Sequence, residues 1–114
     1  MRVSSVIRSG LHAATILVVL AAAAMAEDAV TVQITVKNHS FEPAEIHAPA
    51  GTPIVLRVKN LDPTPMEFES ASLRVEKVVT ANSEGVINLR PLQPGRYKFF
   101  DDFHQTTTGV LVVP

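Results

Sequence analysis

The chain has 114 residues and no cysteine, so neither a disulfide nor a thiol nucleophile is available to it. No Gly-x-Ser-x-Gly elbow is present, which removes the usual signature of a serine hydrolase. After residue 26 the glycines, Gly51, Gly85, Gly95 and Gly109, stand alone, so no phosphate-cradling loop can be drawn from them. There is a single tyrosine and no cluster of lysine or arginine, which argues against a nucleic-acid partner. Paired carboxylates occur at Asp101-Asp102 and at Glu67 with Glu69, but a domain this small rarely offers the cleft a glycosidase needs.

What is present begins with an export signature. Arg2 and Arg8 precede an uncharged, alanine-rich stretch from Ala13 to Ala24 that closes in Ala24-Met25-Ala26. The stretch is shorter than the roughly 18 apolar residues a membrane span needs. Residues 1–26 are therefore expected to be a signal peptide cleaved after Ala26, with residues 27–114 forming one exported, periplasmic domain. Removing Arg2 and Arg8 from the ten basic side chains leaves eight against eleven acidic ones, a formal charge of −3. With 88 residues and no disulfide, the domain must rely on packing, which a bound metal would reinforce.

From Val30 the chain alternates Val30, Val32, Ile34 and Val36 against Thr31, Gln33, Thr35 and Lys37, the period of a strand with one buried face. Ile54, Leu56 and Val58 repeat it. Val75 to Thr80, Gly85 to Arg90, Gly95 to Asp101 and Gly109 to Val113 read as further strands, separated by turns rich in Pro, Gly and Asn. Ser70 to Arg74 and Gln105 to Thr108 read as loops. No segment sustains a helical period, so the expected fold is all-β, an antiparallel sandwich.

Several ordered pieces make the chain resemble the cupredoxins, small copper proteins built on a Greek-key β-sandwich. They are Phe41-Glu42-Pro43, Ala48 to Thr52, Val58-Lys59-Asn60, Pro94-Gly95-Arg96-Tyr97-Lys98-Phe99 and Gly109 to Val113. In that family a histidine follows the Asn-containing turn, and a cysteine and a second histidine follow the Pro-Gly-x-Tyr strand. By the resemblance those places fall to Met66, Asp101 and His104. The thiolate that defines a blue-copper site is missing, although Met, carboxylate and imidazole donors can still bind copper.

The run Asp62 to Ser70, then Glu76 to Val79, Pro91 to Gly95 and Phe99 to His104 is more closely similar to the cysteine-free cupredoxins of bacterial ferrous-iron uptake systems. The resemblance implies a copper-dependent, ferroxidase-type oxidant of ferrous iron, acting beside a periplasmic iron-binding protein and an inner-membrane permease. It also implies Glu67 as a metal ligand, through its Glu-aromatic-Glu motif. The expected metal ligands are thus Met66, Glu67, Asp101 and His104, with copper as cofactor and iron as substrate or transient ligand.

Strand parity bears on this set. Met66 shares the inward face of Phe68, Glu67 and Glu69 point the other way, and Tyr97, Phe99 and Asp101 share one parity. An inward carboxylate at a strand end needs a partner, which a metal or a histidine would supply. The plain readings are core filler for Met66, a turn cap for Asp101, an exposed strand residue for Glu67 and a solvated loop group for His104. His39, in its Asn-His-Ser turn, and His47, beside Glu45, read as surface residues without co-ligands. Asp102, Glu69 and Glu42 read as solvated charges that would form an acidic entrance for ferrous ion if they gathered. Two other functions stay open on the residues alone: a copper or iron carrier without turnover, and a metal-free interaction module.

Overall fold

Residues 28–114 are described by a computed structural model, and the expected signal segment, residues 1–26, lies outside them. Nine strands follow in order: β1 (Val30–Lys37), β2 (Ser40–Glu42), β3 (Glu45–His47), β4 (Ile54–Asn60), β5 (Met66–Ser70), β6 (Val75–Val79), β7 (Ser83–Leu89), β8 (Gly95–Asp101) and β9 (His104–Val113). They form two facing sheets, one ordered β2-β1-β4-β7 and the other β3-β9-β8-β5-β6. Among the described residues no helix is long and apolar enough to cross a membrane.

The expected all-β sandwich is what forms, with a difference in strand direction. β1 runs parallel to β4 and β3 parallel to β9, while the other pairings are antiparallel. Both exceptions arise because the chain leaves the first sheet after β2, adds β3 to the second, and returns as β4. A strand reached by such a crossing is free of the reversal that a hairpin imposes. Gln105 to Thr108, expected as a loop, is instead part of β9. The polar run misled because the register slips there: Phe100 pairs with Thr108 but Asp101 pairs with His104, so Gln105, Thr106 and Thr107 lie between consecutive partners of β8.

Alternation sets the core. Ile54, Leu56, Val58 and Asn60 of β4 face inward, as do Met66 and Phe68 of β5 and Phe99 and Asp101 of β8. At the centre the rings of Phe68 and Phe99 stack with centroids 4.8 Å apart, and Phe41 meets Phe99 edge-on at 5.0 Å. Such aromatic contacts add to the burial of the rings themselves. Gly109 of β9 leaves the room this cluster needs: a Cβ there would stand 2.5 Å from the Phe99 ring and 2.9 Å from the carbonyl oxygen of Ala44. Gly109→Ala is therefore expected to cost about 1–3 kcal/mol through overpacking, read as a lowered midpoint in urea. An unchanged midpoint would mean that the ring and backbone yield freely.

Asn60 closes one end of the sandwich. Wholly buried, its side-chain amide donates to the carbonyls of Thr64, Val79 and Thr80, while its Oδ1 accepts from the Asp62 backbone at 3.0 Å. These bonds tie the Pro-rich connection between β4 and β5 to the end of β6 and fix Asp62 in place.

Candidate metal centre

The end of the sandwich where β8 turns into β9 gathers most of the chemistry-bearing side chains. β8 and β9 are joined by the tight turn Asp102-Phe103, which sets Asp101 opposite His104. Pairing of β5 with β8 sets Phe68 opposite Asp101, which brings the start of β5 to the same place.

Asp101 is fully buried, and its carboxylate is fully engaged. Oδ1 accepts from the backbone N–H of Glu67 and of Phe103, both at 3.0 Å, and Oδ2 lies 2.9 Å from Nδ1 of His104. A carboxylate partner makes Nδ1 the donor, which leaves the lone pair of the imidazole on Nε2. This is the arrangement by which a carboxylate orients a metal-binding histidine and raises its basicity. The His104 side chain is 32% exposed.

Beside it lies a residue that sequence reasoning left on the surface. The ring of His39 stacks on that of His104, with centroids 3.9 Å apart and planes inclined by 26°. Asp62, nearly buried, stands behind His39: its carboxylate accepts from the backbone of Asn38 at 2.6 Å and of His39 at 2.9 Å, and Oδ2 is 3.5 Å from His39 Nδ1. Burial works against the charge on Asp62, but the two backbone N–H groups and the fields of His39 and His104 outweigh it and hold the carboxyl below its ordinary value. No local pattern marks this association, because Asp62 and His39 are brought together only by the meeting of the β1–β2 turn with the β4–β5 connection.

Of the four expected ligands, Asp101 and His104 are in direct contact. Met66 is buried in the core on the face of Phe68, as parity required. Glu67 shares its backbone N–H with the Asp101 carboxylate, but its side chain lies on the opposite face of β5, among Glu69, Glu76 and Asp102. Carboxylate oxygens of Glu67, Glu69 and Glu76 come within 4.8 Å of one another. Glu42, expected with Glu69 and Asp102 at an acidic entrance, lies on β2 in the other sheet and does not join them. His47 pairs with Glu45 at 3.1 Å on the exposed edge.

Burial pushes the Glu67 carboxyl up, and the neighbouring Glu76, Asp102 and Glu69 push it further; Glu69 rises in the same direction through burial, Asp102 and Glu76. A raised carboxyl pKa favours the folded state below the ordinary carboxyl range, and that support is lost as pH rises through the raised value. Glu69 and Glu76 are direct cross-strand partners, a like-charge pair. Glu76→Lys is accordingly expected to raise the thermal midpoint at pH 7, with the gain shrinking in high salt and vanishing near pH 3, where the glutamates are protonated. A midpoint unmoved at pH 7 would show that solvent already screens the repulsion.

The residues do not fit a blue-copper centre. Asp101 stands in the place of the thiolate with both oxygens hydrogen-bonded, and Met66 in the place of the first imidazole is packed in the core. They do fit a metal held through imidazole, because His104 is anchored at Nδ1, which leaves the lone pair on Nε2 of a part-exposed ring.

Comparison with known proteins agrees with this geometry at the level of fold. An uncharacterized protein of Rickettsia prowazekii (strain Madrid E) is 45% identical over 83 residues, which are 72% of this chain and 66% of that protein; the chain thus spans about two thirds of its relative. The metal-binding domain of the Streptococcus pneumoniae Cu(I)-exporting P-type ATPase CopA, solved with Cu(I), superposes with a TM-score of 0.69 at 20% identity, over 78% of this chain and 90% of that domain. A purple cupredoxin from Nitrosopumilus maritimus gives 0.55 at 21% identity, over 76% of this chain and all of that one. Auracyanin A, a blue copper protein of Chloroflexus aurantiacus, gives 0.64 at 15%, over 76% and 100%. At these identities the three solved structures share the fold. The family model for the cupredoxin-like domain matches residues 10–113, so that the chain, a two-sheet sandwich whose candidate site lies at the β8–β9 turn, belongs to the cupredoxin-like family.

Proposed function

We propose that the protein is a periplasmic copper-binding component of a ferrous-iron uptake system. The observation that carries this reading is the Asp101–His104 pair, a buried carboxylate holding Nδ1 of a part-exposed imidazole at 2.9 Å and leaving Nε2 free to bind a metal. Copper in proteins of the same fold, the Streptococcus pneumoniae domain solved with Cu(I) and the blue copper protein auracyanin A, supports the choice of metal.

When bound, copper supplies a one-electron acceptor, ferrous iron becoming ferric as cupric copper becomes cuprous. The chain's own residues do the positioning. Asp101 locks the ring of His104, and the β8–β9 turn holds both at the sandwich end. The carboxylates of Glu67, Glu69, Glu76 and Asp102 form a negative field that draws a ferrous cation toward that end. A periplasmic iron-binding protein and a permease are the partners to which ferric iron would pass.

The missing thiolate favours a second reading, a copper carrier without turnover. One experiment separates the two. The purified protein, loaded with one equivalent of cupric ion, is mixed anaerobically with ferrous iron. The redox reading expects one ferric ion per copper, faster than with free copper, and loss of that gain in His104→Ala. Stoichiometric copper binding without ferrous consumption would replace it with the carrier, and no binding at micromolar copper would end both.

A further inference from the structure

We infer that His39 is the positioning residue that fixes the plane of the His104 imidazole, and with it the direction in which Nε2 of His104 meets a metal. The inference rests on the copper-binding reading above and adds the residue that orients its ligand.

The need for such a residue follows from the torsions of a histidine side chain. The bond to Asp101 pins Nδ1 of His104 at 2.9 Å. A single in-plane bond still lets the ring tilt about that contact, because the last torsion of histidine lies in a broad well. The lone pair on Nε2 lies in the ring plane, so every tilt swings it away from one fixed metal position. His39 removes that freedom. Its ring lies on the face of His104 with centroids 3.9 Å apart and planes inclined by 26°, a stacked pair. Asp101 thus sets where the ring is held, and His39 sets how it lies.

The same stacking excludes His39 as a second ligand of that metal. Lone pairs in two facing planes run nearly side by side and cannot converge on one ion. His39 acts through His104, not on the metal.

A stack can orient a ring only if the other ring is itself fixed, and here it is. Asn38 and His39 are the two central residues of the β1–β2 hairpin, with φ of 51° and 55°. A two-residue turn of this kind asks for positive φ at both positions, and glycine is the usual second residue. A side chain there persists where its surroundings over-determine it. The Asp62 carboxylate accepts from both backbone N–H groups of the turn, with Oδ2 3.5 Å from Nδ1 of His39, and the buried Thr107 hydroxyl donates to the carbonyl of His39. Asp62 is held in turn, through its backbone, by the buried Asn60.

Both anchors come from elements remote in sequence. Asp62 lies in the β4–β5 connection, and Thr107 in the segment of β9 that bulges away from the β8 register. A hairpin needs neither of them in order to turn. Their common effect is to lay the imidazole of His39 flat on that of His104.

The test compares His39→Asn, which tolerates positive φ and removes the ring, with His39→Phe, which keeps a ring and removes both nitrogens. Copper affinity is measured by competition with a chromophoric chelator, and the cupric site by electron paramagnetic resonance. His39→Asn should bind copper about three- to tenfold more weakly than wild type, the worth of one stacked contact. It should keep the wild-type number of coupled nitrogens and the wild-type thermal midpoint, with copper hyperfine lines broadened by a spread of ring orientations. His39→Phe should restore narrow lines and bring affinity back to within about twofold, because a flat face is all that is required. In case either variant folds poorly, nuclear magnetic resonance of the unmodified protein decides. Overhauser contacts between the two rings should persist when cuprous ion is added, and the coordination shift should appear at Nε2 of His104 and not on the His39 ring.

Wild-type affinity and line width in His39→Asn, a lost nitrogen coupling in that variant, no restoration in His39→Phe, or ring contacts that vanish with copper would each overturn the inference and leave copper binding intact. Failure of the wild-type protein to bind copper would overturn both.

Discussion

Asp101→Ala is expected to lose about 3–5 kcal/mol of unfolding free energy, the scale for removing one partner of a buried, charged hydrogen-bond network. The carboxylate serves three donors from three places in the chain: the start of β5, the β8–β9 turn, and the His104 ring. Alanine leaves the backbone N–H groups of Glu67 and Phe103 without that acceptor, where little water can replace it. Since small domains carry only about 5–15 kcal/mol in all, much of this one's stability would go. Urea unfolding monitored by circular dichroism measures it.

Asp101→Asn divides the structural role from the chemical one. Its amide oxygen can still accept from both backbone groups, so the expected loss falls to roughly 1–2 kcal/mol. Its NH2, however, now faces Nδ1 of His104 and must donate to it. The ring's hydrogen is thereby moved to Nε2, where it blocks a metal. Copper affinity should therefore fall about 10–100-fold in a protein that remains folded. If Asn binds copper as wild type does, the carboxylate is a structural clip alone, and the metal lies elsewhere.

Phe68→Ala should cost about 3–5 kcal/mol, the range for deleting a buried aromatic ring. Phe68 is wholly buried, stacked on Phe99 and edge-on to Phe41 at 6.3 Å, so its loss opens a cavity that two further rings line. β5 also faces Asp101 at this position, which means that relaxation of the cavity would loosen the strand whose backbone N–H the carboxylate holds. Phe68→Leu, filling most of the volume, is expected to cost less than about 1.5 kcal/mol. Urea midpoints with unchanged m-values would separate the cavity from a change in the unfolded state. A loss below about 1 kcal/mol in Phe68→Ala would show that the core closes over the gap.

The strands were the legible part, because alternation is a local property that burial of one face imposes on each segment. β8, Gly95–Asp101, has the bounds its pattern implies, and β4 matches its alternating Ile54, Leu56 and Val58. Parity also placed Met66 and Asp101 inward and Glu67 and Glu69 outward. β9 was only half legible. Its polar first half carries no period, since Gln105 to Thr107 bulge away from β8 and Thr107 turns inward to bond the backbone of His39.

The site divides along the same line. His104 three residues after Asp101 is a local spacing across a tight turn, and the pairing it implied is present at 2.9 Å. His39 lies 65 positions earlier, in a turn where polar residues are ordinary, and its neighbour Asp62 is 23 residues away. Neither spacing follows from any strand or turn period.

The sequence by itself determined that this protein is a β-sandwich without a thiol, in which an inward aspartate stands where a cupredoxin's cysteine would and needs a partner. Composition and period are sufficient for the sandwich, the missing thiol and the inward aspartate, because they are written residue by residue; the aspartate's correspondence to the cysteine is what the resemblance implies. Tertiary structure alone decided what else the carboxylate holds and what gathers around the pair. Asp101 spends its oxygens on two backbone groups and His104, and the return of the chain from one sheet to the other carries Asp62 and His39 to the same end. Contacts of that kind follow from how strands cross between sheets, and no local pattern in the chain records a crossing.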